Sequence, residues 1–195
     1  QLGRVLVVSI ISTFGTAQIA ANSVANNIDS FGVLSGMAFN LAVITVVGQC
    51  CGAGRYDSAE YYIRKLMRWS WLIMAGVNVV LFALLLPIMH LYNISAEAKE
   101  LAILLIIIHN GSGIFLWTPA FVLPNALKAA GDARFVMITA IASMMCCRVA
   151  MAYVLGIRFG MGAVGVWIAM ILDWICRITV FAIRYRSGKW QKTVI

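Results

Sequence analysis

Apolar residues run in long unbroken stretches along this chain, separated by short polar punctuation. The first run, Val5 to Phe14, is only about half of the ~20 residues that cross a bilayer. Gly15-Thr16 breaks it, and the pattern predicts a second helix from about Gln18 to Cys50. That helix exceeds one crossing and is expected to tilt or bend. Gly32-x-x-x-Gly36 within it marks a close helix contact. A glycine-punctuated loop at Gly52 to Asp57 follows. Asp57 and Glu60 then read as an acidic helix start. The third helix opens with a basic amphipathic stretch, Arg64, Lys65 and Arg68, and becomes a span from about Trp69 to Leu91. Ser95 can cap a fourth span near Leu101 to Leu127, in which Pro119 and Pro124 predict a kink. After the polar turn Lys128 to Arg134 come a fifth span, about Phe135 to Leu155, and a sixth, about Ala163 to Ile183. The sum is an all-α, polytopic transmembrane helix bundle of about five and a half spans. Its first helix is expected to begin upstream of Gln1, which makes the chain part of a longer protein.

Loop charges test these boundaries. Consecutive loops alternate sides, so the basic residues can be sorted. Arg55, Arg64, Lys65, Arg68, Lys128, Arg134, Arg184, Arg186, Lys189 and Lys192 fall on one side; only Lys99 and Arg158 fall on the other. Cytoplasmic loops carry the Lys/Arg excess, which predicts a cytoplasmic C-terminus.

Composition sharpens the reading. The chain is 63% hydrophobic and 11% charged, with mean hydropathy +0.93. A soluble fold would have too few polar groups to cover so much apolar surface. The runs do not alternate with period two, which excludes a barrel. The net charge of +8 sits at the ends of apolar runs, where topology and anionic lipid account for it without nucleic acid. The five cysteines (Cys50, Cys51, Cys146, Cys147 and Cys176) show neither metal-ligand spacing nor a disulfide framework.

Ionisable groups inside spans are costly and need a partner or a function. Asp173 precedes Arg177 by four residues, the favourable order for a helical pair, and Arg148 on the preceding helix lies at similar depth. An Arg148–Asp173–Arg177 cluster is expected, either as a static tie between the last two spans or as a gate. Asn22, Asn26, Asp29 and Ser30 form one polar stripe on the second helix, with Asn27 beside it. Asp29 lies near mid-membrane with no basic residue near it in sequence. Burial without a counter-charge penalises an acid's charged form, and hard oxygen ligands on one face also suit a cation. A water-filled ion path and a polar seam between packed helices both fit. A lone His109 is no metal site, and packing is its expected role. Trp117, Trp167 and Trp174 can wall a site for a flat organic cation or serve in the core. No Ser/His/Asp set, H-E-x-x-H or P-loop is present. The expectation is therefore a non-enzymatic protein without cofactor or bound metal, driven by an ion gradient.

The residues also carry a resemblance. Gly15-Thr-Ala-Gln-Ile-Ala-Ala-Asn-Ser-Val through Val47-Gly-Gln-Cys-Cys-Gly-Ala-Gly54, then Ala59, resembles the second helix of half of a multidrug and toxic compound extrusion (MATE) protein. Asn125-Ala-Leu-Lys-Ala-Ala-Gly-Asp132 is similar to that family's cytoplasmic L-R-G-x-G-D-type turn. Gly165-Val-Trp-Ile-Ala-Met, Asp173-Trp174, Arg177 and Gly188-Lys189-Trp190 resemble its last helix in bacterial members. The resemblance implies two six-helix lobes, of which residues 1–195 would be the C-terminal one, lacking the first part of the seventh helix. It implies export of organic cations in exchange for H⁺ or Na⁺ by alternating access, with the bilayer and an N-terminal lobe as partners. It assigns Asn27 to the family's polar cavity position on the eighth helix. The acid that several members place in the tenth helix falls at Trp117 and is absent. A lipid-linked oligosaccharide flippase of the same superfamily is the nearest alternative, and a non-transporting membrane scaffold is the alternative from another class.

Overall fold

The computed structural model describes residues 2–192, and among them every regular element is helical. A short helix, α1 (Leu2–Ser12), precedes five helices long and apolar enough to cross a membrane. These are α2 (Thr16–Gly52), α3 (Tyr56–Leu91), α4 (Ala96–Ala129), α5 (Ala133–Arg158) and α6 (Gly162–Arg186). A 3₁₀ turn, Lys189–Lys192, follows. Each span expected from the hydrophobic pattern is present, extended by a few residues at its ends. The amphipathic basic stretch of Arg64 to Arg68 is continuous with the α3 span.

Local chemistry sets the ends. The Ala98 N–H donates to the Ser95 side chain at 3.3 Å, capping α4. Gly54 and Gly131 turn the chain at φ +69° and +95°, a region side chains disfavour. The turn after α4 is then fastened to the end of α6. Arg184 donates to both oxygens of Asp132, at 2.6 and 3.1 Å, and its guanidinium lies 4.6 Å from the centre of the Phe135 ring. Trp190, almost fully buried, stacks on Tyr185 and donates to the Tyr185 carbonyl.

The hydrogen-bonding pattern changes in one span. Helix α4 runs unbroken through Pro119 and Pro124, whereas α5 widens into π turns at Met144–Ala150 and Val154–Arg158. No proline marks α5; such wide turns answer to packing and commonly sit near functional sites.

Small residues set the helix spacing. A Cβ on Gly32 would lie 2.8 Å from Asn78 Oδ1 of α3, and one on Gly36 would overlap the Trp117 ring of α4 and the Met74 sulfur. The Gly-x-x-x-Gly contact expected from the sequence is therefore the seam where α2 meets both neighbours. Similarly, a Cβ on Gly165 would lie 2.7 Å from the Leu155 backbone, so α6 touches α5 nearly backbone to backbone.

Two apolar cores result. One, around Ile28, Leu105, Ile106 and Val166, lies toward the end bearing the α1–α2 and α3–α4 turns. The other, around Val47, Ile63, Leu127 and Phe181, lies toward the basic end. Buried Ser70, Asn78, His109, Asn110, Thr118 and Asp173 occupy the level between them. The outer faces carry exposed Leu34, Leu41, Leu72, Val79, Leu86, Ile138 and Ile183, the surface that lipid covers. The chain is a multi-pass membrane protein.

Overpacking the glycine seam should be costly. Gly36→Ala is expected to destabilise the purified protein by about 1–3 kcal/mol, read as a lower thermal midpoint in detergent. Gly52→Ala, with nothing within 4 Å of its added Cβ, should leave that midpoint unchanged.

Candidate functional site

Helix α2 lines a half-open cavity with one stripe: Asn22, Asn26, Asp29, Val33, Met37 and Asn40. Their spacing of three and four residues keeps them on one helix face. Val7, Val8 and Ile11 of α1, His109, Trp117 and Phe121 of α4, Met144 and Arg148 of α5, and Trp167, Met170 and Trp174 of α6 complete the wall. The cavity volume is about 450 Å³, within the range of small-molecule sites.

At the centre of the wall Asp29 meets His109. His109 Nδ1 lies 2.9 Å from Asp29 Oδ1, with the two side chains 6% and 16% exposed. The imidazole is wedged between Trp167 and Trp174, at 4.8 and 4.6 Å between ring centres. Trp167 Nε1 donates to Asn22 Oδ1 at 3.0 Å, and Asn26 Nδ2 donates to the same oxygen at 3.0 Å. A continuous polar chain therefore runs Asn26–Asn22–Trp167 beside His109–Asp29. The Asp29–His109 contact joins α2 to α4 inside the cavity wall.

Of the residues expected to form a pathway, Asn26, Asp29 and Trp117 line the cavity. Trp117 stacks on Phe121 at 4.9 Å and, with Trp167 and Trp174, gives the cavity its aromatic wall. Asn27 does not line it. One residue further along α2 rotates it about 100° away, and it sits on the exposed face. His109, expected to serve packing, is instead the partner of Asp29.

Two members of the expected three-residue cluster meet directly. Arg177 Nε lies 3.0 Å from Asp173 Oδ1, and Asp173 is fully buried. Ser143 of α5 donates to the same oxygen, and Arg177 also donates to the Ala140 carbonyl at 3.4 Å. Asp173 therefore does tie α5 to α6. Arg148 also reaches α6. Arg148 lies in the π-turn segment of α5, lines the cavity, and its Nη2 lies 2.7 Å from Met170 Sδ. Among the described residues no three His, Cys, Asp or Glu side chains converge as metal ligands do.

Membrane-length helices around a cavity of amide, ionic and aromatic groups define a polytopic α-helical membrane protein. The model of the MatE family matches residues 1–154, and the chain belongs to that family. It is 28% identical to "Uncharacterized transporter YisQ" of Bacillus subtilis, over 97% of this chain and 42% of that protein. It is 25% identical to "Probable multidrug resistance protein NorM" of Thermotoga maritima, over 99% of this chain and 41% of that protein. The chain thus spans about two-fifths of the length of these relatives. A solved MATE family multidrug resistance transporter of the MOP superfamily, in an outward-facing conformation, aligns with TM-score 0.84 and 19% identity. That alignment covers 98% of this chain and 44% of the other, and shows a common fold.

Removing a partner from a buried ion pair is expensive: Arg177→Gln, which strands Asp173, should cost about 3–5 kcal/mol, read by chemical or thermal unfolding in detergent. A double-mutant cycle of Asp29→Asn and His109→Phe, followed by the same unfolding measurement, should give a coupling of about 1–3 kcal/mol.

Proposed function

We propose that this chain is the C-terminal lobe of a cation-coupled antiporter that exports organic cations by alternating access. The observation that supports it is Asp29 inside the cavity, hydrogen-bonded to His109 beside the Trp167 and Trp174 rings. A flat organic cation gains from aromatic faces and from a nearby carboxylate. A proton gained by His109, or a metal cation drawn to Asp29 and the Asn22 and Asn26 amides, reduces that attraction. Substrate and coupling ion then compete for one negative charge, the physical basis of exchange. The second lobe would close the cavity's remaining side, and rocking between lobes would expose it to each face of the membrane in turn. The basic ends of the helices, with the C-terminus, face the cytoplasm of a bacterial cell in this reading. The function is transport rather than catalysis.

The test is ethidium efflux from vesicles containing the complete transporter, under an imposed H⁺ or Na⁺ gradient. Wild type should export under one of the two gradients, and Asp29→Asn should lower the rate at least about tenfold. Flux unchanged in Asp29→Asn removes Asp29 from coupling, and no flux under either gradient refutes the antiporter.

A further inference from the structure

A second concavity lies outside the cavity wall, on the lipid-facing side of the bundle. It runs between α3 and α6, with α4 as its floor, and encloses about 350 Å³. Met67, Trp71, Pro119, Leu123 and Ala182 give it an apolar interior. Arg64, Arg68 and Arg186 stand together at its mouth, where Tyr185 lies beside Arg64. Glu60 pairs with Arg64, but among the described residues neither Arg68 nor Arg186 takes part in a salt bridge.

Depth and exposure decide what fits. Counted from Lys128 at the basic end of α4, Leu123 lies roughly 8 Å and Pro119 roughly 14 Å into the membrane at 1.5 Å per residue. The groove therefore passes from headgroup level into hydrocarbon. Its borders are exposed apolar side chains, Trp71, Leu72 and Ile183, so it opens toward lipid tails. Cations at one end and an apolar slot at the other match an amphiphile of opposite charge, its anionic head against the guanidinium groups.

We propose that this groove is a binding site for an anionic phospholipid of the leaflet at the basic end, its phosphate held by Arg68, Arg186 and Arg64 and one acyl chain lying along Trp71, Pro119 and Leu123. The site stands apart from the transport cavity and does not depend on what that cavity carries.

Purified protein in detergent is titrated with phosphatidylglycerol or phosphatidylcholine whose acyl chains are brominated, and quenching of tryptophan fluorescence is recorded. Phosphatidylglycerol should quench at a concentration at least about tenfold lower than phosphatidylcholine, and most of that quenching should vanish in Trp71→Phe. The combined R64Q/R68Q/R186Q variant should lose the preference, while R55Q/K65Q/R134Q, which removes as many charges outside the groove, should keep it. Ala182→Trp, which fills the slot and spares the arginines, should weaken quenching by phosphatidylglycerol. Thermal midpoints confirm that each variant is folded, and any variant that is not is replaced by the single change Arg186→Gln, expected to reduce the preference. Equal quenching by both lipids, equal loss in the two charge variants, or inorganic phosphate protecting the arginines without lipid quenching each overturns the proposal. So does a dimer that Ala182→Trp dissociates, because a second copy would then occupy the groove.

Discussion

The close approach of α2 to α3 and α4 at Gly32 and Gly36 is the constraint on which the remaining geometry hangs. In hydrocarbon no water-driven force pulls apolar helices together, so backbones must come near enough for dispersion and polar contacts to act. The two glycines permit that approach, and Asn78 and Trp117 occupy the space a side chain would have taken. One turn from Gly32, Asp29 is thereby carried to the face of α4 and meets His109. Had the helices stood a side chain further apart, the carboxylate would face the cavity without its imidazole.

That arrangement explains why the polar groups form a layer rather than a scatter. Each apolar core fills one end of the bundle, and the amides, the histidine and the two aspartates gather at the level between. Asp173 and Asp29 share this level but not its environment. Asp173 is sealed between α5 and α6 by Arg177 and Ser143, with no exposure. Asp29 keeps partial access to the cavity beside His109. One acid is closed inside a helix–helix contact; the other borders open space.

The hydrophobic pattern made the spans legible because every interruption was long enough to leave polar punctuation. The glycine seam was legible for the same reason, as a four-residue repeat. The Asp29–His109 couple was missed because its members lie 80 residues apart and His109 was judged alone. A depth count would have paired them: Asp29 follows the Gly15 turn by 14 residues, and His109 follows Ser95 by 14. Both turns lie at the same end of the bundle. The wide winding of α5 was not legible, because no glycine or proline within the first π segment announces it.

Helix α6 is held at both extremities. At its start the Ala163 N–H donates to Gln18 Oε1 at 2.7 Å, in the space that a side chain on Gly162 would fill; at its finish Arg184 grips Asp132. A rod fastened at two points has little room to slide along its own axis, whereas α5 beside it departs from regular winding twice, and the arginine that borders the cavity sits in the first of those departures.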